Sequence, residues 1–129
     1  MYKRQILAFA GSNNSQSINK ELVRYTCNLI DKSKTEVKFI ELEHYHAPVY
    51  GIDLEKAEGF PADIKELREL MLSMDGFIIS SPEHNGMIPA FFKNYIDWLS
   101  RVDEGKVFND KPVLLHGHVT WRQRWFRKP

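Results

Sequence analysis

The chain contains a single cysteine, Cys27, so no disulfide can close within it. Disulfide-stapled secreted scaffolds are thereby excluded, and a reducing cytoplasmic setting is expected. Long hydrophobic runs are also missing. No apolar stretch approaches the roughly 18 residues that a membrane-spanning helix needs. Lys3 and Arg4 precede only a short apolar run, residues 6–10, which suits a first strand better than a signal peptide. The dinucleotide fingerprint of three spaced glycines and the lysine of a triphosphate loop are both absent. An excess of one charge is absent as well: 18 basic residues face 17 acidic ones. The segment 116–129 is the exception. It carries Arg122, Arg124, Arg127 and Lys128 and no acid, leaving the rest of the chain mildly acidic. Arginines interleaved with Trp121 and Trp125 are a pattern that stacks on single-stranded nucleic acid. No RNA-binding fold surrounds them, so neither a nucleic-acid nor a membrane partner is expected. His116 and His118 lack a third ligand, so no metal is expected either.

What is present is an ordinary globular composition, 43% hydrophobic and 27% charged over 129 residues, enough for one domain. Strand and helix patterns alternate. That predicts an α/β sandwich of three layers, a parallel sheet with helices on both faces. Residues 4–10 read as a buried central strand. Ser17 is a good N-cap for a helix running to about residue 31, with Ile18, Leu22, Tyr25 and Leu29 as its buried stripe and Cys27 as a buried structural thiol. Residues 37–42 read as an edge strand, and 43–60 as a long connection. Pro61 opens a helix that buries Ile64, Leu67, Met71 and Met74. Residues 76–80 form a third strand, Pro89 opens a helix with Phe92, Tyr95, Ile96 and Leu99 inward, and 112–115 begin a fourth strand.

Two polar loops carry the chemistry. The first, residues 11–19, leaves the first strand and opens the first helix. A helix N-terminus offers unpaired N–H groups and a positive dipole end. Ser12, Ser15 and Ser17 add hydroxyls, and Asn14 and Asn19 add amides. With no Lys or Arg inside it, the loop suits a monophosphate such as that of FMN better than a pyrophosphate. The second loop, Ser81-Pro82-Glu83-His84-Asn85-Gly86-Met87-Ile88-Pro89, follows the third strand. It offers backbone N–H groups and the Asn85 amide, the kind of donors that cradle a flavin ring. In a flavodoxin-like sheet of order 2-1-3-4-5, these two loops flank the point where the strand order reverses, the place where such folds hold FMN.

These residues resemble the NADPH-dependent FMN reductase-like family of quinone, azo-dye and chromate reductases, over about residues 4–115. The family's phosphate loop, Gly-Ser-x-Arg-x-x-Ser-x-Asn, falls on Gly11, Ser12, Asn14, Ser17 and Asn19. Its ring loop, Pro-Glu-Tyr-Asn-Gly-x-Ile-Pro followed by Leu-Lys-Asn-x-Ile-Asp-Trp, falls on Pro82, Glu83, His84, Asn85, Gly86, Ile88 and Pro89, then on Phe92 to Trp98. Pro48, Val49, Tyr50, Asp53 and Leu54 resemble the family's segment after strand two. Asn14 stands where the family has Arg, and His84 where it has Tyr. The resemblance implies an FMN-dependent oxidoreductase using NADPH or NADH, with hydride transfer through the flavin to a small-molecule electron acceptor: a quinone, azo compound, metal oxyanion or free flavin. It implies cofactor contacts from Ser12, Asn14, Ser17, Ile18, Asn19, Pro82, Glu83, His84, Asn85 and Gly86, with no catalytic side chain. It also implies a homodimer or homotetramer.

From residue 116 onward the chain departs from the family, which continues with a Thr-Ser-Pro-Gly-Gly loop, a fifth strand and a last helix. A one-base shift at codon 116 permits a peptide containing Thr-Ser-Pro-Gly-Gly, and it forces glycine at both tail tryptophans. The expectation is therefore an incomplete flavodoxin-like domain over 1–115, with its last strand and helix missing, followed by an out-of-frame tail over 116–129. The coding DNA decides this. An inactive remnant or a non-enzymatic flavin-binding protein is the alternative reading.

Overall fold

The computed structural model describes residues 2–118. They form β1 (Arg4–Ala10), α1 (Ile18–Asn28), β2 (Thr35–Phe39), α2 (Ile52–Glu58), α3 (Ala62–Leu72), β3 (Gly76–Ser80), α4 (Ala90–Leu99) and β4 (Val113–His116). All strand pairs are parallel, in the order β2-β1-β3-β4. This is the α/β arrangement expected, with β2 at an edge. Along β1, Leu7 and Phe9 face one layer while Ala8 and Ala10 face the other. That accounts for a nearly continuous apolar run: a parallel strand is covered on both sides.

The larger core lies on the Leu7 and Phe9 face. Phe77 and Ile79 of β3 join Ile64, Leu67 and Met71 of α3 and Phe92, Tyr95, Trp98 and Leu99 of α4 there. Trp98 is fully buried. Its ring meets Tyr50 and Phe60 edge-on, and its Nε1 donates to the Pro48 carbonyl at 2.7 Å. Asn94 donates to the same carbonyl and accepts from the Tyr50 N–H, so α4 anchors the 48–50 segment through two side chains. The buried stripe expected of α4 therefore needs correction: Trp98 belongs to it, and Ile96 is only partly buried.

Other expectations are corrected too. Residues 43–60 are not a bare connection, because α2 lies within them. It ends on Gly59 at φ 75°, a left-handed position that suits glycine. Its carboxylate Glu55 accepts from Arg101 at 3.1 and 3.2 Å and from the Tyr50 hydroxyl. Leu42 falls in a single 3-10 turn, so β2 is shorter and begins earlier than predicted. Pro61 and Pro89 are caps, each standing one residue before its helix. Helix α1 closes at Asn28, and its predicted stripe points mostly outward: Ile18, Tyr25 and Leu29 are exposed and Leu22 is half-buried. The side chains that turn inward are Asn19, Lys20 and Val23. Lys20 is buried because its ammonium reaches Glu41 and Glu43, each at 2.8 Å, on the chain leaving β2. Cys27 is half-buried, and that burial raises its thiol pKa.

Among the described residues, no helix is long and apolar enough to cross a membrane, and no three potential metal ligands gather. The expectations for Trp121, Arg122, Arg124, Trp125, Arg127 and Lys128 lie outside the described residues.

Candidate functional site

The first loop leaves β1 at Gly11, whose N–H donates to the Ser80 carbonyl of β3 at 2.8 Å. A Cβ at Gly11 would lie 2.6 Å from Cδ1 of Phe92, so space rather than backbone conformation selects glycine here. The loop then winds through short local turns. The Asn14 N–H donates to Ser12 Oγ at 3.2 Å, the Gln16 N–H to Asn14 Oδ1 at 3.0 Å, and the Ser17 N–H to the Asn14 carbonyl at 3.1 Å. Ser17 caps α1 as expected, its Oγ accepting from the Lys20 N–H. The first two helical N–H groups, those of Ile18 and Asn19, have no partner among the described residues, as helix geometry requires. Ser12 and Ser17 act as acceptors in these contacts, which leaves each hydroxyl hydrogen available to a ligand.

The second loop contains a tight hairpin. The His84 N–H donates to the Met87 carbonyl and the Met87 N–H donates back, at 2.9 and 3.1 Å. Asn85 and Gly86 sit between them at φ 55° and 80°. Two successive positive φ values mark a type I′ turn, and Asn-Gly is its preferred sequence. This gives a local reason for both residues that was legible in the sequence but not read from it.

The two loops meet. Ser12, Asn13, Asn14, Gln16, Ser17, Ile18 and Asn19 line one side of a cleft of about 330 Å³, and Pro82, Glu83 and His84 line another. The cleft lies beyond the carboxyl ends of β1 and β3, where the strand order reverses. Eight of the ten predicted residues thus line one space: Ser12, Asn14, Ser17, Ile18, Asn19, Pro82, Glu83 and His84. Asn85 and Gly86 stand outside that lining, at the turn of the hairpin.

Sequence reasoning missed His118, which lines the cleft from the chain leaving β4. It also assigned Asn19 a different task. Asn19 is 4% exposed, and its amide is committed to the framework: Oδ1 accepts from Ser80 Oγ at 2.6 Å and from the His118 N–H at 3.0 Å, while Nδ2 donates to the His118 carbonyl. The connection between β4 and this clamp is close-packed. A Cβ at Gly117 would lie 2.3 Å from the Ser81 carbonyl oxygen, so any side chain there would displace backbone. His116 pairs with Ser80 in register, and its Nε2 lies 3.2 Å from Thr26 Oγ1.

A parallel sheet of this order, with a helix N-terminus and a second strand-end loop enclosing a polar cleft, defines a flavodoxin-like α/β protein. A family model described as NADPH-dependent FMN reductase matches residues 4–126, and the chain belongs to that family. Over 113 residues it is 35% identical to the quinone reductase of Escherichia coli (strain K12), covering 88% of this chain and 58% of the relative. It is 30% identical over 112 residues to the probable NADPH:quinone oxidoreductase 1 of Oryza sativa subsp. japonica, covering 86% and 56%. The solved structure of FerB, a flavoenzyme NAD(P)H:(acceptor) oxidoreductase from Paracoccus denitrificans, superposes with a TM-score of 0.71 at 25% identity, covering 88% of this chain and 60% of that one. The chain thus spans less than two thirds of the length of these relatives.

Proposed function

We propose that this chain carries the FMN site of an NAD(P)H-dependent reductase that acts on a quinone, azo compound, metal oxyanion or free flavin. The observation carrying this reading is the convergence of residues 12–19 with residues 82–84 in one cleft at the strand-order reversal. The donor set fits the cofactor: unpaired N–H groups at the start of an eleven-residue helix and two serine hydroxyls for a phosphate, with a hairpin backbone beside them. Bound FMN would supply the hydride chemistry, as flavins do.

The side chains bind and orient. Ser12, Ser17 and the Ile18 and Asn19 N–H groups hold the phosphate, and Asn14 adds its amide where relatives of this sequence pattern place a cation. Pro82, Glu83 and His84 form the wall beside the ring, with Asn85 and Gly86 setting the angle of that wall. Asn19 holds the two walls together. The acceptor and NAD(P)H would use the open side of the cleft in turn, in a homodimer or homotetramer whose second subunit adds to the pocket.

The alternative reading is a chain that binds the flavin without oxidising NADPH. Titration of the full chain with FMN, followed by flavin fluorescence, tests the cofactor reading, and NADPH oxidation with a quinone then separates a reductase from a flavin binder. Absence of flavin binding would sink both. The tail's out-of-frame origin is a separate proposal. The codons from 116 onward test it, and a DNA sequence that does not permit the shifted peptide overturns it.

A further inference from the structure

A second cavity lies between the sheet and helices α3 and α4. Its volume is about 160 Å³, and none of the described residues on its walls also lines the cleft. Phe9 of β1, Leu67 and Met71 of α3, Tyr95 and Leu99 of α4, and Val107 form its walls, and none of these is more than 5% exposed. Ile96, Ser100 and Phe108 line the side nearer to solvent. Protein interiors contain few voids larger than a water molecule, so a cavity of this size is a specific feature of the fold.

Among the described lining residues, the side-chain hydroxyls are those of Tyr95 and Ser100, and both are engaged. The Tyr95 hydroxyl lies 2.8 Å from the Leu42 carbonyl and 2.7 Å from that of Tyr45. Ser100 Oγ donates to the Asp97 carbonyl at 2.8 Å. An interior water needs roughly two to four polar partners, and these walls offer aromatic and aliphatic carbon instead. The stretch that supplies Val107 and Phe108 is tied down on either side. Arg68 donates to the carbonyls of Val102 and Asp103, and Lys111 Nζ to those of Met71 and Leu72. Hydrogen bonds thus fix the backbone around a space that no side chain fills.

We propose that this cavity is a binding site for one small apolar molecule of single-ring size, a monocyclic aromatic hydrocarbon such as benzene or toluene. An apolar cavity of about 150 Å³ stays dry and admits one benzene molecule, so the volume and the lining agree on the guest. Carbon walls hold such a guest by dispersion and by the apolar area it removes from water. The rings of Phe9 and Phe92, set edge to face with centroids 6.0 Å apart, add aromatic contact. A quinone does not suit the space, because its carbonyls would be buried without donors. The site is therefore separate from the place where an electron acceptor would meet the flavin, and it does not rest on the cofactor reading.

The experiment titrates the full chain, isotope-labelled on its methyl groups, with benzene and separately with phenol, following the methyl resonances by NMR. Benzene is expected to give saturable shifts at Leu67, Met71, Leu99 and Val107, and none of comparable size at Val23 and Val37 on the opposite face of the sheet. Phenol must carry its hydroxyl into the cavity unpaired, and is expected to bind at least about tenfold more weakly. Val107→Phe and Leu99→Phe each place a ring in the space, and either one should abolish benzene binding, with circular dichroism verifying the fold. Benzene shifts that do not saturate, that fall equally on the opposite face or that persist in a folded filling variant overturn the proposal. So does phenol binding as tightly as benzene. The titrations of the unaltered chain decide the matter even where neither filling variant folds.

Discussion

The two faces of the sheet are built unequally. One buries Leu7, Phe9, Phe77 and Ile79 beneath α3 and α4, with Trp98 at zero exposure. The other buries Ala8, Ala10, Ile78 and Val23, and leaves Ile18, Tyr25 and Leu29 of α1 in solvent. Hydrophobic stabilisation scales with apolar area removed from water, so the α3–α4 face carries most of it. The α1 face is held instead by polar links: Lys20 to Glu41 and Glu43, Asn19 to Ser80 and His118, and Thr26 to His116. The cleft sits at the top of the sheet between these regimes. One of its walls leans on a packed core and the other on hydrogen bonds.

The comparison breaks most readily at Trp98. Trp98→Ala removes the ring that packs Tyr50 and Phe60 and takes one of its two donors, the indole N–H, from the Pro48 carbonyl, leaving Asn94. A loss of about 3–5 kcal/mol in chemical denaturation is expected. Gly11→Ala comes next. Its new methyl presses into Phe92 where the core meets the first loop, and a destabilisation of about 1–3 kcal/mol is expected, with weakened flavin binding from the displaced loop.

Tyr95 gives the packed face a pH signature. Its hydroxyl lies 2.8 Å from the Leu42 carbonyl and 2.7 Å from that of Tyr45, and burial, with Glu43 and Asp63 nearby, pushes its pKa up to about 12. The neutral phenol is the form the fold favours. Its contribution is complete below the unfolded tyrosine value near 10 and is lost as pH rises from there through about 12. Thermal melts between pH 9 and 12 should fall more steeply for the unaltered chain than for Tyr95→Phe. The smallest effect belongs to the other face: Leu29→Ser, at an exposed position, should change stability by less than about 0.5 kcal/mol. A loss several times larger would mean that something covers this stripe in solution and that the inequality of the faces is narrower than described.

Much of this was legible in the sequence where local chemistry decides. Ser17 reads as a cap because a hydroxyl can accept from the third helical N–H, and it does. The order of strands, the burial of Ile64, Leu67 and Met71, and the meeting of the two loops follow from alternation and from the geometry of parallel sheets. The stripe on α1 was misread for a tertiary reason. Periodicity marks Ile18, Tyr25 and Leu29 as one side of a helix, but what lies beneath decides which side turns in. Here a floor of Ala8 and Ala10, a carboxylate pair and Ser80 select Val23, Lys20 and Asn19. Helix α2 escaped notice because it is seven residues long and buries none of them. His118 carried no local signal. Its place on the cleft comes from β4 lying beside β3, a contact between distant parts of the chain.

The Asn19 amide has a mechanical consequence. One planar group fastens the start of a helix, the end of an inner strand and the exit from the neighbouring strand. The rim of the cleft accordingly behaves as a keyed joint rather than as independent flaps. Prising away any of the three parts breaks the bonds through which the same amide holds the other two.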